Sequence, residues 1–407
     1  AAGAKASQFR RPLPYDAMNS RMVHWWADWT QKPVTAIRQE FATVLANGGT
    51  TFLGDICYHR TAMPDPAVLA NAGRAFALAR EVEPWVHDAE PVPDIAILNS
   101  AASHYLSSRS PNADPVPVKG VHLALLEAGL HTHILTEATL AEHLPAYRGL
   151  VVPEQAHISA QACNAIREFV RAGGGLVVVG DSPLADILGV ERIGTFDDDR
   201  AYLVCEAPDL SPRDEAACPP RLVHGRGIRV RPTTAEVLAP HVAPLGGGPP
   251  HSGPPPDRPS GDPAITLNDY GGGRAALVAL PVATDYFGRG HAALAPLMAG
   301  LVRRVCTPLV EVRTPAPVEV SLLRRGSSLL VHLVNYTASR HPGRPATVDH
   351  ITPVHEVVVR LRLAGEPHLV GGSDEAWAAV QVEGGLDLVL PRLDLWACAE
   401  VSLAGAP

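Results

Sequence analysis

The sequence predicts a mixed α/β chain in three parts: a strand–helix–strand–helix segment over residues 1–91, a parallel sheet with crossover helices over 92–305, and an antiparallel β-sandwich over 306–407. Three observations lead there. Apolar runs of strand length alternate with amphipathic stretches as far as about residue 305. Period-two alternation takes over beyond Cys306. The two places where regular pattern fails, "HDAEPVPD" and "APLGGGPPHSGPPPDRPSGDP", are dense in the residues that interrupt both kinds of hydrogen-bond ladder.

The first part opens with an extended run expected from Met22 to about Trp26. In "KPVTAIRQEFATVLANGG" the apolar residues Ile37, Phe41, Val44 and Leu45 fall at helical spacing. Pro33 suits the first turn of that helix, and Asn47-Gly48-Gly49 suits a left-handed stop. "TTFLGDICYH" reads as a buried strand and "DPAVLANAGRAFALAREVEPW" as a second helix starting near Asp65-Pro66. Such alternation builds a (β/α) barrel or a doubly wound sheet, and two units close neither.

After the proline-rich hinge, "DIAILNS", "HTHIL", "GLVVPE" and "GLVVVGD" are strands separated by the helices "VKGVHLALLEAGL", "TLAEHLPAY" and "SAQACNAIREFVRAGG", the rhythm of a parallel sheet. From about Leu184 to Pro263 the pattern degrades into short strands and a Pro/Gly-rich insertion near 244–263, expected to be a mobile surface loop. "GGGRAALVALPVATDYF" and "HAALAPLMAGLVRRV" restore a strand and a helix. The last part, "VEVSLLRRGSSLLVHLVNYT", "EVVVRLRL" and "AVQVEGGLDLVLPRLDLWACAEVSL", alternates at period two around Arg-Gly and Gly-Gly turns.

Composition narrows function. With 407 residues, 46% hydrophobic and 19% charged, the chain is globular and long enough for two or three cores. A net charge of -8 with no basic run argues against nucleic acid, whose binding needs clustered Lys and Arg. Cys57, Cys163, Cys205, Cys218, Cys306 and Cys398 lack CxxC spacing and read as reduced thiols. With no leader and no apolar run of membrane length, no membrane association is expected and the cytoplasm is the default. Position 1 is not Met, which leaves open that the chain is part of a longer one.

The segments "HWWADWTQKP" and "LANGGTTFLGD", then "ALLEAGLHTHIL", "GLVVPEQAHIS" and "IREFVRAGGGLVVVGDS", then "LLVHLVNYT", make the order of parts resemble the family 42 glycoside hydrolases, the β-galactosidase group, and their uncharacterised relatives. The resemblance covers nearly the whole chain, and no segment carries a diagnostic catalytic motif. It implies the fold class in detail: a partial (β/α) barrel end comprising the last two units of a (β/α)8 catalytic barrel, a flavodoxin-like (class I amidotransferase-like) trimerisation domain, and the terminal sandwich. It also implies a carbohydrate substrate, a homotrimer, and a full-length form that hydrolyses O-glycosidic bonds, β-galactosides among them. The other reading is a non-catalytic oligomerisation or carbohydrate-binding protein.

Barrel chemistry sits at the C-terminal ends of the strands. His24, Trp25, Trp26 and Asp28 after the first strand, and Asp55, Tyr58 and His59 after the second, are therefore expected to face a sugar, with aromatic rings stacking on its apolar faces. The alternative, ranked second, is that those aromatics fill the joint between the barrel and the next domain. Retaining glycosidases need two carboxyl groups about 5–5.5 Å apart. The family's acid belongs to a barrel strand absent here, and its nucleophilic Glu has no match in "SRMVHWWADW". Asp28 and Asp55 are the candidate catalytic carboxylates, Asp55 ranking first for a substrate hydroxyl and a salt bridge being its alternative; Asp16 precedes the expected strand.

No cofactor or metal is expected. The elbow "VVPEQAHIS" offers Glu154 and Gln155 where an amidotransferase needs its thiol, and Cys163 lies down the next helix, as a core residue would. His122, His131, His133 and His157 fall on different elements. Only the "HTH" pair has strand spacing for a metal, and a solvated strand end fits it better. The glycines of "GGGLVVVGDS" precede their strand, the wrong side for a phosphate cradle.

Overall fold

The computed structural model of the chain describes residues 15–23, 29–57, 60–107, 115–212, 219–246, 254–337, 348–364, 367–374 and 376–403. These form two compact units, one of residues 1–92, 129–131 and 309–407, the other of residues 93–128 and 132–308.

In chain order the first elements are β1 (Asp16–Ser20), α1 (Val34–Ala46), β2 (Thr50–Gly54), α2 (Pro66–Val82) and β3 (Glu90–Pro91). Next come β4 (Ile95–Asn99), α3 (Ala101–Ser107), α4 (Val116–Glu127), β5 (Thr132–Thr136), α5 (Glu137–His143), β6 (Gly149–Pro153), α6 (Ala160–Arg171) and β7 (Gly175–Val179). Six strands follow: β8 (Val190–Thr195), β9 (Arg200–Leu203), β10 (Arg221–His224), β11 (Ile228–Pro232), β12 (Glu236–Pro244) and β13 (Pro256–Tyr270). Then come β14 (Gly273–Val278), α7 (Val282–Arg289) and α8 (Leu294–Val305). The chain ends in β15 (Val310–Arg313), β16 (Val318–Arg325), β17 (Ser328–Asn335), β18 (Val354–Leu361), β19 (His368–Gly372), β20 (Ala378–Val382), β21 (Gly385–Leu393) and β22 (Trp396–Ser402).

In the first unit β1 and β2 pair in parallel, Asp16 opposite Thr50 and Ser20 opposite Gly54. The first strand thus lies earlier than the expected Met22 start, and residues 21–23 bend out of it. Within this chain β2, expected as a buried strand, is covered on one side only. Leu53 packs beside Ile37, Phe41 and Ala75 of α1 and α2, whereas Phe52 and its register partner Met18 are each 45% exposed. A two-stranded sheet covered by helices on one side leaves the alternate side chains in water. Helix α1 follows Pro33 and ends at Asn47, with Gly48 left-handed at φ 75°; Asp65 caps α2 by accepting from the Ala67 amide at 2.7 Å.

Strands β15–β18–β21–β20 and β19–β22–β17–β16–β3 form two antiparallel sheets sharing one core, in which Val320, Leu322, Val331 and Leu333 meet Val357, Val359, Leu388 and Leu390. Strand β3 comes from the stretch expected to be only a hinge: Pro91 and Glu90 pair with Leu323 and Arg324. The outer face of this sheet carries Leu323, Leu330, Val334 and Cys398, and it is covered by Ala42, Leu45, Leu78 and Val82 of α1 and α2.

The second unit holds a nine-stranded sheet ordered β10–β9–β12–β13–β14–β7–β6–β4–β5. Five strands are parallel, β5–β4–β6–β7–β14, the 2-1-3-4-5 order of flavodoxin-like sheets. Both faces are covered, which is why β4, β6 and β7 are continuous apolar runs. The 244–263 stretch, expected as a loop, instead supplies strand on both sides: Pro244 pairs with Pro256, Val242 with Pro259 and Pro240 with Pro263. Repeated register shifts and an exposed outer segment make this compatible with so many prolines, since bulged or edge positions need no ladder donor. Residues 247–253 lie outside the described part.

Candidate functional site

The C-terminal ends of β1 and β2 hold a charged constellation. Because Ser20 stands opposite Gly54, the next residues, Arg21 and Asp55, emerge side by side, and the Arg21 amide extends the ladder to the Gly54 carbonyl at 3.2 Å. Arg21 Nε donates to Asp55 Oδ1, which also accepts from the Ile56 amide at 2.7 Å. The Arg21 side chain is 4% exposed and that of Asp55 18%. The guanidinium lies 5.2 Å from the ring centroid of Trp29, within cation–π range, and Trp29 is itself 57% exposed. Lys32, whose amide bonds the Arg21 carbonyl at 2.7 Å, pairs through Nζ with Glu40 Oε1 at 2.7 Å. A cavity of about 320 Å³ opens beside them, lined by Met18, Asn19, Met22, Lys32 and Glu40 among others.

A larger cleft of about 890 Å³ sits at the opposite end of the strands, around Tyr15, Thr50, Phe76 and Asp88. Size alone would favour it. The strand ends are the better candidate, because ligands of parallel α/β units bind at the carboxyl ends of the strands and Arg21, Lys32, Glu40 and Asp55 gather there. Tyr15 in the larger cleft is half-buried, and desolvation, with the Glu319 charge adding to it, drives its phenol well above its usual pKa and leaves it a neutral hydroxyl that donates to the Asn47 carbonyl at 3.1 Å.

Of the residues singled out in the sequence, Asp55 takes its place at this end, already engaged in the salt bridge that was its alternative reading. His24, Trp25, Trp26, Asp28, Tyr58 and His59 lie outside the described residues. Asp16 starts β1 at the far end and accepts from the Thr50 hydroxyl, away from Asp55. Arg21, Trp29, Lys32 and Glu40 were missed. Arg21 was legible in principle: with β1 ending at Ser20, parallel register puts the following residue beside the one after Gly54.

The second unit has its own candidate position, the crevice where strand order reverses between β4 and β6. At the end of β6, Glu154 adopts a left-handed φ of 50°, rare for a residue with a side chain. Its carboxylate accepts from the Thr284 amide at 2.9 Å and from the Thr284 hydroxyl. Burial raises its pKa, against the opposing pull of the Thr284 and Ala283 bonds, and Asp285 raises it further. Gln155 turns the other way, its Oε1 accepting from the Ser100 amide at 2.6 Å, while the Ser100 and Ser103 hydroxyls donate to the His157 carbonyl at 2.7 and 2.6 Å. Glu137 joins from α5: burial acts to raise its pKa, but bonds from Ser100 and Ser159 outweigh it and hold the carboxyl low. The elbow side chains therefore satisfy the backbone at the starts of α7 and α3. Cys163 is buried on α6, its thiol pushed up in pKa by that burial.

The "HTH" pair is neither a metal pair nor a solvated strand end. Both rings are fully buried; His131 bonds the carbonyls of Val92 and Val320 at 2.9 and 3.2 Å, and His133 bonds the Tyr147 hydroxyl at 2.9 Å. His122 likewise bonds Thr132 at 3.1 Å. Buried imidazoles seek partners, and backbone and hydroxyl groups supply them.

No protein-family model matches the sequence, and no curated protein matches it significantly. Solved structures do match the fold. An α-L-fucosidase, isoenzyme 2 from Paenibacillus thiaminolyticus, superposes with a TM-score of 0.83 at 20% identity, over 98% of this chain and 62% of that one. Gan42B, a GH42 β-galactosidase from G. stearothermophilus, gives 0.62 at 15% identity over 98% and 55%. The cold-adapted β-galactosidase of Rahnella sp. R3 gives 0.63 at 17% identity over 98% and 56%. The chain has a glycoside-hydrolase-like fold. It spans little more than half the length of these enzymes, and at such identities the likeness concerns fold alone. Among the described residues, no helix is long and apolar enough to cross a membrane.

Proposed function

We propose that this chain is part of a glycoside hydrolase, in which β1 and β2 are the last two strands of a catalytic barrel and their C-terminal ends contact the sugar. The observation that carries the reading is Asp55, a partly exposed carboxylate linked through Arg21 to a solvent-facing tryptophan at that end of a parallel strand pair, in a chain whose fold matches glycosidases over nearly its full length. A charged acceptor beside an aromatic face is what a sugar hydroxyl and the apolar side of its ring require. The substrate is an O-glycoside of galactose or fucose, the sugars named for the structurally similar enzymes, cleaved by the two-carboxylate route. The protein acts in the cytoplasm.

Among the described carboxylates at this end, Glu40 is tied to Lys32 and Asp55 to Arg21. Neither is placed as a proton donor. Residues 1–407 are therefore expected to bind the sugar without turning over nitrophenyl glycosides, since a lost general acid alone costs about 10²–10⁴-fold. Titration calorimetry with D-galactose and L-fucose tests the binding. Saturable heat with either sugar supports the reading, and none with both removes it. The second unit serves as the assembly domain of a homotrimer, which light scattering at micromolar protein checks; a clean monomer contradicts that part.

A further inference from the structure

Resting on the carbohydrate reading, we infer that Arg21 is a positioning residue that aims Asp55 at the sugar. Asp55 has two carboxylate oxygens with different duties. Oδ1 is saturated by Arg21 Nε and the Ile56 amide, one from each strand end. Oδ2 accepts no hydrogen bond among the described residues, while the side chain keeps 18% of its surface open. Fixing one oxygen with two donors sets the plane and rotamer of the carboxylate, so that the second oxygen points in one direction. An aspartate alone on a loop would pay ordering entropy each time a hydroxyl docked; here that cost is met by folding.

Arg21 is itself held. Its side chain is nearly buried, its backbone is bonded on both sides, to Gly54 and Lys32, and its guanidinium rests by the ring of Trp29. The planar fork fits this role where an ammonium does not, because Nε donates along a fixed direction while the guanidinium carbon sits 5.2 Å from the Trp29 ring centroid. Trp29 and Asp55, the stacking surface and the hydroxyl acceptor, are thus joined through one side chain. The neighbouring Lys32–Glu40 pair adds no net charge, so the hydrogen bond offered by Oδ2 suits a neutral hydroxyl donor.

A purely structural strut would make the same contacts, so the experiment must separate the two roles. The whole chain and its Arg21→Met, Arg21→Lys, Asp55→Asn and Arg21→Met/Asp55→Asn variants are titrated with D-galactose and L-fucose, and each is melted without sugar. Arg21→Met is expected to weaken the bound sugar about 10- to 100-fold, as Asp55→Asn does, and the double variant no further than either single one. Arg21→Lys, keeping the charge without the fork, is expected to recover part of that loss. Absence of sugar binding by the unaltered chain overturns the carbohydrate reading and this inference with it. Sugar bound equally by the unaltered chain and Arg21→Met, whatever the melting temperature does, overturns the positioning role alone, as do losses that add in the double variant. If Arg21→Met does not fold, Arg21→Lys decides: an unchanged dissociation constant refutes the role, and a several-fold rise supports it.

Discussion

His332 in β17 makes the first unit acid-sensitive in a way that one substitution exposes. The ring is fully buried; Nδ1 accepts from Trp396 Nε1 at 3.3 Å, and Cys398 Sγ lies 3.7 Å from Nε2. Burial, helped by Arg325 and opposed by a bond to the Trp85 backbone, brings its pKa from 6.5 down to about 3. The unfolded chain therefore takes up a proton that the folded chain refuses. The stabilising contribution is complete above pH 6.5 and is lost as pH falls toward 3, reaching an upper limit of about 5 kcal/mol and about 3 kcal/mol at pH 4.5. His332→Leu removes that loss but leaves the Trp396 N–H without its acceptor, a cost of about 1–3 kcal/mol at any pH. The expected result is a crossover: the variant is less stable near neutrality, and the curves meet between about pH 6 and pH 4.5, where the linkage loss equals the orphaning cost. Urea unfolding followed by tryptophan fluorescence across this range measures it. A stability gap independent of pH would refute the reasoning.

Glu154→Gln probes the elbow of the second unit. A carboxyl whose folded pKa is raised loses stability as pH climbs from its ordinary 4.5 through the folded value, so the variant should gain on the original protein over that interval; a constant difference in urea midpoint speaks against it. Asp65→Ala deletes the cap on α2 and should cost about 1 kcal/mol, read from the same unfolding curves, with no change contradicting the capping role. Gly49→Ala drives a Cβ to 2.6 Å from the Tyr15 ring, so the ring must move and near-ultraviolet dichroism should change, whereas an unaltered spectrum would show that the packing there is loose.

Periodicity carried the second unit well. In "GLVVPE" and "GLVVVGD" the apolar residues run without interruption because both faces of β6 and β7 are covered, a local signature of a parallel sheet. It was silent where burial depends on what lies beyond the strand: within this chain helices cover one side of β2 only, so Leu53 is packed and Phe52 is 45% exposed, and the composition of "TTFLGD" does not say which. Proline density hid the β12–β13 pairing, since nothing local says that a proline will fall at a bulge. The histidines of "HTH" looked like ligands or surface groups because the partners that bury them, the carbonyls of Val92 and Val320 and the Tyr147 hydroxyl, are distant or ordinary in sequence. At the candidate site Asp55 was legible from its place after an apolar run. Arg21 was missed because a six-residue error in the start of β1, expected at Met22 and found at Asp16, put it before the strand instead of at its end.

The most direct measurement is hydrolysis of nitrophenyl α-L-fucoside and β-D-galactoside by a form carrying the whole barrel, with and without Asp55→Ala. Turnover of one substrate is expected, with kcat/KM falling by about 10- to 100-fold in the variant, the scale of one lost charged hydrogen bond. No turnover of either glycoside, or the same kcat/KM after Asp55→Ala, would contradict a sugar-contacting role for the strand ends of β1 and β2.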